Sequence, residues 1–244
     1  MYDIILFDLD DTLLDFASSE RESLKRIHAE FYPQLNYSIF EEHFLSINNQ
    51  LWKRVGAHEN PLTPGEIRLQ RFMEFNQKFN IKHDHEIIAH HYENHLGETA
   101  NWLPGVKEAI QLLHKKNYIL GIVTNGLVSV QYKKYERHAL GNWFKSFIVS
   151  DKVNMAKPHK GIFELAFSEI CAQKNLKMID VKKILMVGDS LVSDGHGSKN
   201  AGIDFCFVGQ ESKIDHEIDH EIPIKYIIPS VCALPQILTP ILNR

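Results

Sequence analysis

Two aspartates lie two residues apart at the end of a short apolar segment near the start of the chain. Ile4–Phe7 is apolar throughout, which predicts a buried strand of a parallel sheet, and Asp8 and Asp10 follow it. Alternate residues of an extended segment point to the same side, so the two carboxylates are expected to project together. Like charges this close are stabilised by a cation or a proton between them. The same residues also fit an ordinary solvated strand end.

A second pair of acids follows another apolar segment. Ile184–Gly188 has the pattern of a buried strand, Asp189 follows it, and Asp194 lies five residues further on. Open parallel sheets bind ligands at the carboxyl ends of their strands. If the two strands are neighbours, Asp189 converges with Asp8 and Asp10. Hard oxygen donors in that arrangement predict a Mg²⁺ site that keeps water ligands and accepts an oxygen from the substrate.

Two further segments contain groups suited to phosphate. The predicted strand that begins at Ile119 ends in Thr124, Asn125 and Gly126, which offer a hydroxyl and exposed backbone N–H groups. Lys157 precedes a proline and supplies a compact positive charge. Taken singly, these segments equally fit a helix N-cap and a solvated lysine.

Composition and charge exclude several classes of protein. The 244 residues are 44% hydrophobic and 24% charged, with a net charge of −4, which is typical of a globular protein without affinity for nucleic acid or anionic membranes. The three cysteines are far apart, which argues against a disulfide framework or a zinc ribbon. No apolar run approaches the roughly 18 residues of a membrane span, and the first strand leaves no room for a signal peptide. We expect a cytoplasmic monomer or weak homodimer that binds neither membranes nor nucleic acid polymers.

Strand-like and helical patterns alternate along most of the chain. Strands are predicted at Ile4–Asp8, Ile119–Thr124, Phe147–Ser150, Ile184–Gly188, Phe205–Val208 and Tyr226–Ile228. Helical patterns at Gly105–Lys116 and Gly161–Gln173 lie between strands. The alternation indicates right-handed βαβ units. The predicted fold class is therefore α/β, with a Rossmann-like three-layer core around a central parallel sheet.

The first crossover differs because it contains no strand pattern. Four helical patterns fill it, at Ser18–Phe31, Ile39–Val55, Pro64–Phe79 and His85–Leu96. This crossover is far longer than a βαβ unit requires. We therefore predict an inserted α-helical cap domain over residues 16–99, with residues 1–15 and 100–244 forming the catalytic core. The junctions near Asp15 and Thr99–Leu103 would act as hinges.

Two histidine-containing segments invite a metal hypothesis that we reject. His91 and His95 share one face of a predicted helix, but they enclose no HExxH glutamate and have no cysteine nearby. We interpret them as solvated helix surface. The tandem Asp-His-Glu-Ile repeat at residues 215–222 is interpreted as an exposed loop.

In order and spacing, four segments resemble the motifs of the haloacid dehalogenase-like (HAD) hydrolases: Asp8-Leu9-Asp10-Asp11-Thr12, Thr124-Asn125-Gly126, Lys157-Pro158, and Gly188-Asp189-Ser190 with Asp194. The match covers nearly the whole chain. All four segments lie at the predicted carboxyl ends of strands, which makes the joint pattern much more specific than any single motif.

The resemblance implies a role for each acid. Asp8 would be the nucleophile that forms an aspartyl-phosphate, and Asp10 the general acid and base. Mg²⁺ would be held by the carboxylates of Asp8 and Asp189 and the backbone carbonyl of Asp10. Asp194 would orient Lys157 or water in the metal's shell.

The resemblance also implies the phosphate-binding groups. Thr124 and the N–H groups of Asn125 and Gly126 would bind the phosphoryl oxygens, and Lys157 would offset the negative charge of phosphate and nucleophile.

Asp10 distinguishes between two reactions of the family. Relatives that cleave carbon–halogen bonds lack an acid at this position, because a halide leaves without a proton. The alcohol part of a phosphate ester leaves as an alkoxide, which needs a proton from such an acid. Asp10 therefore favours phosphomonoester hydrolysis, and Thr12 would hold Asp10 in position beside the substrate.

The substrate is less constrained. The insert matches the helical cap of the family's first cap class, which selects small substrates. Gln131 and the segments 153–158 and 200–204 look like those of pyrimidine 5′-nucleotidases, and N-acylneuraminate 9-phosphatases have similar motifs. We expect a Mg²⁺-dependent phosphatase acting on a small phosphorylated metabolite, a nucleoside 5′-monophosphate. A sugar-phosphate or N-acylneuraminate 9-phosphate phosphatase, a phosphosugar mutase, and a receiver-like or scaffolding protein remain as alternatives.

Overall fold

A six-stranded parallel sheet forms the centre of the molecule. The computed structural model describes residues 2–55, 61–175, 177–214 and 220–238. The strands are β1 (Ile4–Phe7), β2 (Ile119–Thr124), β3 (Phe144–Val149), β4 (Ile184–Gly188), β5 (Asp204–Val208) and β6 (Ile224–Ile228). They are ordered β3-β2-β1-β4-β5-β6, and every neighbouring pair is parallel.

Strand β1 lies at the point where the strand order reverses. Phe7 pairs with Ile122 of β2 on one side and with Val187 of β4 on the other. The carboxyl ends of these three strands therefore reach the same edge of the sheet. In open α/β sheets the crevice for a ligand opens at this position.

Within the described residues, four helices occupy the long crossover between β1 and β2. They are α1 (Phe16–Phe31), α2 (Tyr37–Trp52), α3 (Pro64–Lys78) and α4 (His85–Thr99). Short polar side chains begin each of them, and Thr63 forms a capping box with Glu66 at the start of α3. Residues 16–99 are thus helical where the sequence predicts helices. The division into a catalytic core and a cap domain stays a prediction.

The four helices pack around an apolar cluster of their own. Phe40, Phe44, Phe72, Phe75 and Tyr92 are all buried in it. Most of their rings meet edge-on or tilted, as in the 5.1 Å centroid distance between Phe40 and Phe75, whereas Phe40 and Phe44 are stacked. Burial of these rings holds the helices together, so Phe72 and Phe75 belong to the interior of the insert and are not free to stack on a base.

The junctions between the insert and the sheet run side by side. The Asp15 N–H donates to the Asn101 carbonyl at 2.8 Å, and the Leu103 N–H donates to the Leu13 carbonyl at 3.0 Å. An isolated antiparallel bridge joins Leu14 to Trp102. The chain therefore leaves and re-enters the sheet region at one place.

Helices cover both faces of the sheet. They are α5 (Val106–Lys115), α6 (Val128–Arg137), α7 (Ser150–Val153), α8 (Lys160–Lys174), α9 (His196–Ala201) and α10 (Leu234–Ile237). Ile5 and Phe7 of β1 face one apolar cluster, which contains Ile110 of α5, whereas Ile4 and Leu6 face the other cluster. Two apolar layers separated by a parallel sheet confirm the predicted α/β three-layer fold.

The structure contains helices that were not predicted, among them α6, α7, α9 and α10, and strands β3 and β6 begin earlier than predicted. Helix α6 was not predicted, because its outer face is strongly polar. Strand β3 begins at Phe144, three residues before the predicted start, because buried and half-buried residues alternate over its first part. Within the described residues, no helix is long and apolar enough to cross a membrane. Most of the repeat at 215–222 lies outside the described residues. The cytoplasmic location and the oligomeric state stay predictions.

Candidate active site

Three carboxylates meet at the carboxyl edge of the central strands. Asp8 follows β1 and Asp189 follows β4, whose last residue is Gly188. Each of Asp8, Asp189 and Asp194 places one carboxylate oxygen within 4.8 Å of the others. The strand order produces this convergence, because β1 and β4 are direct neighbours.

Lys157 forms hydrogen bonds to two of these acids. Its Nζ donates to Asp8 Oδ1 and to Asp194 Oδ1, both at 2.7 Å, and the residue is only 1% exposed. Burial by itself lowers the pKa of this ammonium group, but the charges of Asp194 and Asp8 and their hydrogen bonds hold it above its usual value. Lys157 is therefore a fixed positive charge in the acid cluster.

Gly188 makes room for Asp194. A Cβ added at residue 188 would lie 2.2 Å from Asp194 Oδ2 and 2.4 Å from its Cγ. The same Oδ2 accepts the Ser190 N–H at 3.1 Å, at the start of a π-helical turn over Leu191–Gly195. The absence of a side chain at 188 thus allows a buried carboxylate to reach Lys157.

The cluster has an excess of negative charge. Three carboxylates share one ammonium group, which leaves two negative charges without a counter-charge in the cluster. Burial raises the pKa of Asp8 to about 8, opposed by Lys157 and assisted by Asp194 and Asp189. Burial, with the charges of Asp194 and Asp11, likewise raises the pKa of Asp189 to about 7. A divalent cation would balance the excess negative charge and displace protons from Asp8 and Asp189. The three carboxylates therefore fit a divalent cation.

Asp10 lies outside this cluster and contacts helix α6. Lys134 Nζ donates to Asp10 Oδ1 at 2.6 Å, and Gln131 Nε2 donates to Asp10 Oδ2 at 3.0 Å. Lys134 is fully buried and lies 5.3 Å from the centre of the Phe16 ring. Both carboxylate oxygens of Asp10 are therefore held by the same helix face.

Lys134 is a site residue that the sequence interpretation missed. The signal was available, because Gln131 and Lys134 are three residues apart and so share one helix face. That signal becomes useful only when a helix is predicted after Gly126. The resemblance to pyrimidine 5′-nucleotidases included Gln131 without a structural reason.

The segment after β2 is fixed by side chains as well as backbone. Asn125 exchanges two hydrogen bonds with the backbone of Lys157, one from Asn125 Nδ2 to the carbonyl at 3.0 Å and one from the Lys157 N–H to Asn125 Oδ1 at 2.9 Å. Gln131 Nε2 also donates to Thr124 Oγ1 at 2.9 Å, which leaves the hydroxyl hydrogen of Thr124 to donate elsewhere. These contacts tie the second and third motifs together.

Two predicted contacts differ in the structure. The Gly126 N–H, expected to face a phosphoryl oxygen, donates to Ser150 Oγ at 3.0 Å. Thr12, expected to hold Asp10, donates to Asp189 Oδ1 at 3.2 Å. Both groups therefore stabilise the frame of the site. Neither difference was foreseeable, because Ser150 and Asp189 come from segments far away in the sequence.

A cavity of about 490 Å³ extends from the acids to the insert. Asp10, Asp189, Asn125 and Gln131 line it from the sheet side. From the helical side it is lined by Phe16, Glu20, Asn48, Asn49, Trp52, Arg71 and Leu96. Its volume suits a small metabolite, which agrees with the size of substrate expected under a helical cap.

The histidines of α4 also have a partner. His91 Nδ1 and His95 Nε2 lie 2.8 and 3.0 Å from the two carboxylate oxygens of Glu30, on α1. The pair therefore joins two helices of the insert, and is not merely solvated surface as expected. It lies apart from the catalytic edge.

A sequence model of a known protein family matches most of this chain. The model for haloacid dehalogenase-like hydrolases matches residues 5–208, a range that contains all four motifs. This chain belongs to the haloacid dehalogenase-like hydrolases. The membership predicted from the motifs is thereby confirmed.

Individual relatives cover nearly the whole chain. A structure of the HAD-hydrolase YfnB from Bacillus subtilis, described as bound to magnesium, has a TM-score of 0.80 and 28% identity over 98% of this chain and 99% of that one. Pyrimidine 5′-nucleotidase YjjG of Escherichia coli is 28% identical over 97% of this chain and 98% of its own length. Glyceraldehyde 3-phosphate phosphatase of Pyrococcus abyssi is 30% identical over 83% of this chain and 79% of its own length. The predicted resemblance to the phosphatases of the family is thus confirmed, while two kinds of substrate occur among these relatives.

Proposed function

We propose that this HAD hydrolase is a Mg²⁺-dependent phosphatase that acts on a nucleoside 5′-monophosphate through an aspartyl-phosphate. The observation that supports the chemistry is the buried set Asp8–Lys157–Asp194–Asp189. Of this set, Asp189 lines a cavity of metabolite size, which Asp10 also lines. Asp10 and its two partners on α6 complete the machinery.

In the first step a carboxylate oxygen of Asp8 attacks phosphorus, and the bond between phosphorus and the leaving oxygen breaks. Asp10 gives its proton to that oxygen, so the leaving group departs as an alcohol. Lys157 stays charged, and its contact with Asp8 Oδ1 fixes the orientation of the nucleophile. Asn125, through its backbone N–H, and Thr124, through its hydroxyl hydrogen, donate to phosphoryl oxygens.

In the second step water attacks the aspartyl-phosphate. Asp10, now ionised, takes a proton from the water, and the bond between phosphorus and Asp8 breaks to release inorganic phosphate. Asp10 then holds the proton required for the next cycle, so the proton balance closes. Lys134 and Gln131 keep the Asp10 carboxyl group in one orientation through both steps.

The carboxylates of Asp8 and Asp189 and the backbone carbonyl of Asp10 would hold the Mg²⁺ ion, with Asp194 as its further acidic neighbour. When bound, the ion neutralises charge on the carboxylates and on the phosphoryl group. The two excess negative charges of the acid cluster support a divalent rather than a monovalent cation.

Two observations support a nucleotide as substrate. The similarity to YjjG extends over 97% of this chain, including the cap helices that line the cavity. The helical wall also contains Glu20, Asn48 and Arg71, whose polar groups suit a leaving group richer in hydrogen bonds than a triose. A sugar phosphate is the second candidate, because the P. abyssi relative is named a glyceraldehyde 3-phosphate phosphatase.

The test is phosphate release from a panel of phosphomonoesters with Mg²⁺ present. We expect uridine and cytidine 5′-monophosphates to be hydrolysed with a higher kcat/KM than glyceraldehyde 3-phosphate. Asp8→Asn should abolish turnover, while Asp3→Asn, at an exposed aspartate on a different part of the surface, should not. Absence of phosphate release from every ester would overturn the phosphatase; a preference for the triose phosphate would overturn the nucleotidase.

A further inference from the structure

A polar group of three residues lies in the helical wall of the cavity. Glu20 of α1, Asn48 of α2 and Arg71 of α3 all line it, opposite Asp10. Arg71 Nη1 donates to Asn48 Oδ1 at 3.4 Å, and Asn48 Nδ2 donates to Glu20 Oε1 at 3.0 Å. A charged network of this kind is uncommon inside a helical cluster that is otherwise apolar and aromatic.

Arg71 is the incompletely satisfied member of the group. It is 2% exposed, and its Nε and Nη2 have no hydrogen-bond partner among the residues that the structure describes. Buried donors without an acceptor are costly, and those of a guanidinium more so. Two unused donors beside the reaction cavity indicate that a bound molecule supplies the acceptors.

The neighbours of Arg71 hold it in one orientation. Its guanidinium carbon lies 4.5 Å from the centre of the Tyr92 ring and 5.4 Å from that of Phe72. The Tyr92 hydroxyl donates to Glu20 Oε1 at 3.1 Å, so the same ring also fixes the carboxylate. Donor and acceptor are therefore placed before any ligand arrives.

The chemistry of the group limits what it can bind. A guanidinium only donates hydrogen bonds and an ionised carboxylate only accepts them, so the ligand must present both an acceptor and a donor. The planar fork of Nε and Nη2 fits a planar partner. The negative charge of Glu20, which Asn48 links to Arg71, opposes an anionic partner and favours a neutral one.

We propose that Arg71, with Glu20 and Asn48, binds the leaving group of the substrate and selects a neutral planar ring edge that carries a carbonyl oxygen next to an N–H group. Uracil presents such an edge through its carbonyls and N3–H. Cytosine presents a related edge, on which O2 and N3 accept hydrogen bonds and the amino group donates them. This inference rests on the proposed phosphatase activity and adds the residues that would recognise the base.

The cavity connects the two ends of such a substrate. Asp10 and Asp189 lie at one end of the same cavity that Glu20 and Arg71 line at the other. Burial raises the pKa of Glu20, and the charges of Asp11 and Asp10 contribute to that rise, whereas Tyr92 and Arg71 oppose it. The catalytic acids and the recognition group are therefore close enough for their charges to interact.

The experiment compares Arg71→Met with wild-type enzyme on four esters: uridine and cytidine 5′-monophosphates, ribose 5-phosphate and p-nitrophenyl phosphate. We expect kcat/KM for the two nucleotides to fall by about tenfold or more, mainly through KM, because the lost groups contact the base. The two esters without a base should change less than about twofold. Arg68→Met, one turn away on α3 and paired with Glu86 and Glu93, serves as the matched control.

A second measurement does not depend on turnover of the nucleotides. Uridine, which lacks phosphate, should inhibit hydrolysis of p-nitrophenyl phosphate competitively in wild type and lose this effect in Arg71→Met and in Glu20→Gln. Turnover of p-nitrophenyl phosphate by the variants reports that they are folded. If Arg71→Met lowers kcat/KM equally for all four esters, or leaves the nucleotides and uridine inhibition unchanged, the inference is overturned. If wild type hydrolyses none of the esters, the phosphatase proposal itself has failed.

Discussion

The ammonium group of Lys134 lies 2.6 Å from Asp10 Oδ1, with no exposed surface of its own. The contact connects a residue of helix α6 to the acid that lies three residues beyond the end of strand β1. It places the lysine side chain against the group proposed to exchange protons with the leaving oxygen and with water. The acid/base step is thus expected to depend on a lysine outside the four motifs.

Replacing Lys134 with Met tests that dependence. We expect kcat to fall by about tenfold or more, because Asp10 loses both its partner and its orientation. Lys133→Met is the control, since Lys133 contacts Asn94 at the surface. An unchanged kcat would exclude a positioning role for Lys134.

Asp10→Asn should show a leaving-group effect. Nitrophenolate departs without a proton, whereas the alkoxide of a nucleotide or sugar phosphate requires one. The first step should therefore slow by about 10²-fold or more for the alkyl esters and much less for p-nitrophenyl phosphate. Rapid-quench measurements of each step make the comparison. Equal losses on both classes of ester would contradict the general-acid role.

Gly188→Ala should disable the acid cluster without replacing any of its side chains. The added methyl group would lie 2.2 Å from Asp194 Oδ2, so the carboxylate must move and its contact with Lys157 breaks. We expect loss of more than about 90% of activity and weaker Mg²⁺ binding, measured by calorimetry. Gly65→Ala, where the nearest atom is 3.5 Å from the new Cβ, should be nearly silent. Full activity in Gly188→Ala would show that Asp194 is dispensable.

Protons and Mg²⁺ are expected to compete for the acid cluster. Burial raises the pKa of Asp8 to about 8 and that of Asp189 to about 7, well above the ordinary value of about 3.9. The folded state therefore binds these protons more tightly than the unfolded chain does. Their contribution to stability is complete below about pH 4 and is lost as the pH rises through about 7 to 8.

Mg²⁺ binds the ionised carboxylates, so its stabilising effect should grow over the same pH range. The increase in Tm on adding Mg²⁺ should be larger at about pH 8 than at about pH 5, and EDTA should reverse it. In Asp189→Asn the increase in Tm should be small at both pH values. An increase in Tm that is the same at both values of pH would contradict proton competition at these acids.

The sequence predicted the fold well wherever one physical pattern was sufficient. Strands β1, β2 and β4 are continuous apolar runs that end in polar motifs, and their parallel pairing brings the predicted Asp8 and Asp189 together. Helix α6 was missed because only a narrow face of it is buried. That face contains Val130, Gln131 and Lys134, so two of its buried residues are polar.

The composition of the cavity wall could not be predicted in the same way. Glu20, Asn48 and Arg71 come from three helices, and which side each helix turns to the cavity depends on how the aromatic cluster packs. Spacing within one helix carries no information about such contacts. The same limit applies to Gly126 and Thr12, whose partners Ser150 and Asp189 belong to distant segments.

The paired junction at Asp15 and Asn101 has an evolutionary consequence. Since the two ends of the helical insert are adjacent, the whole insert could be replaced as a unit without separating the strands that bear the acids. Recognition of the organic part of the substrate could then diversify independently of the chemistry at phosphorus. The same sheet and its acids would thus act on many metabolites, with only the helical insert changing.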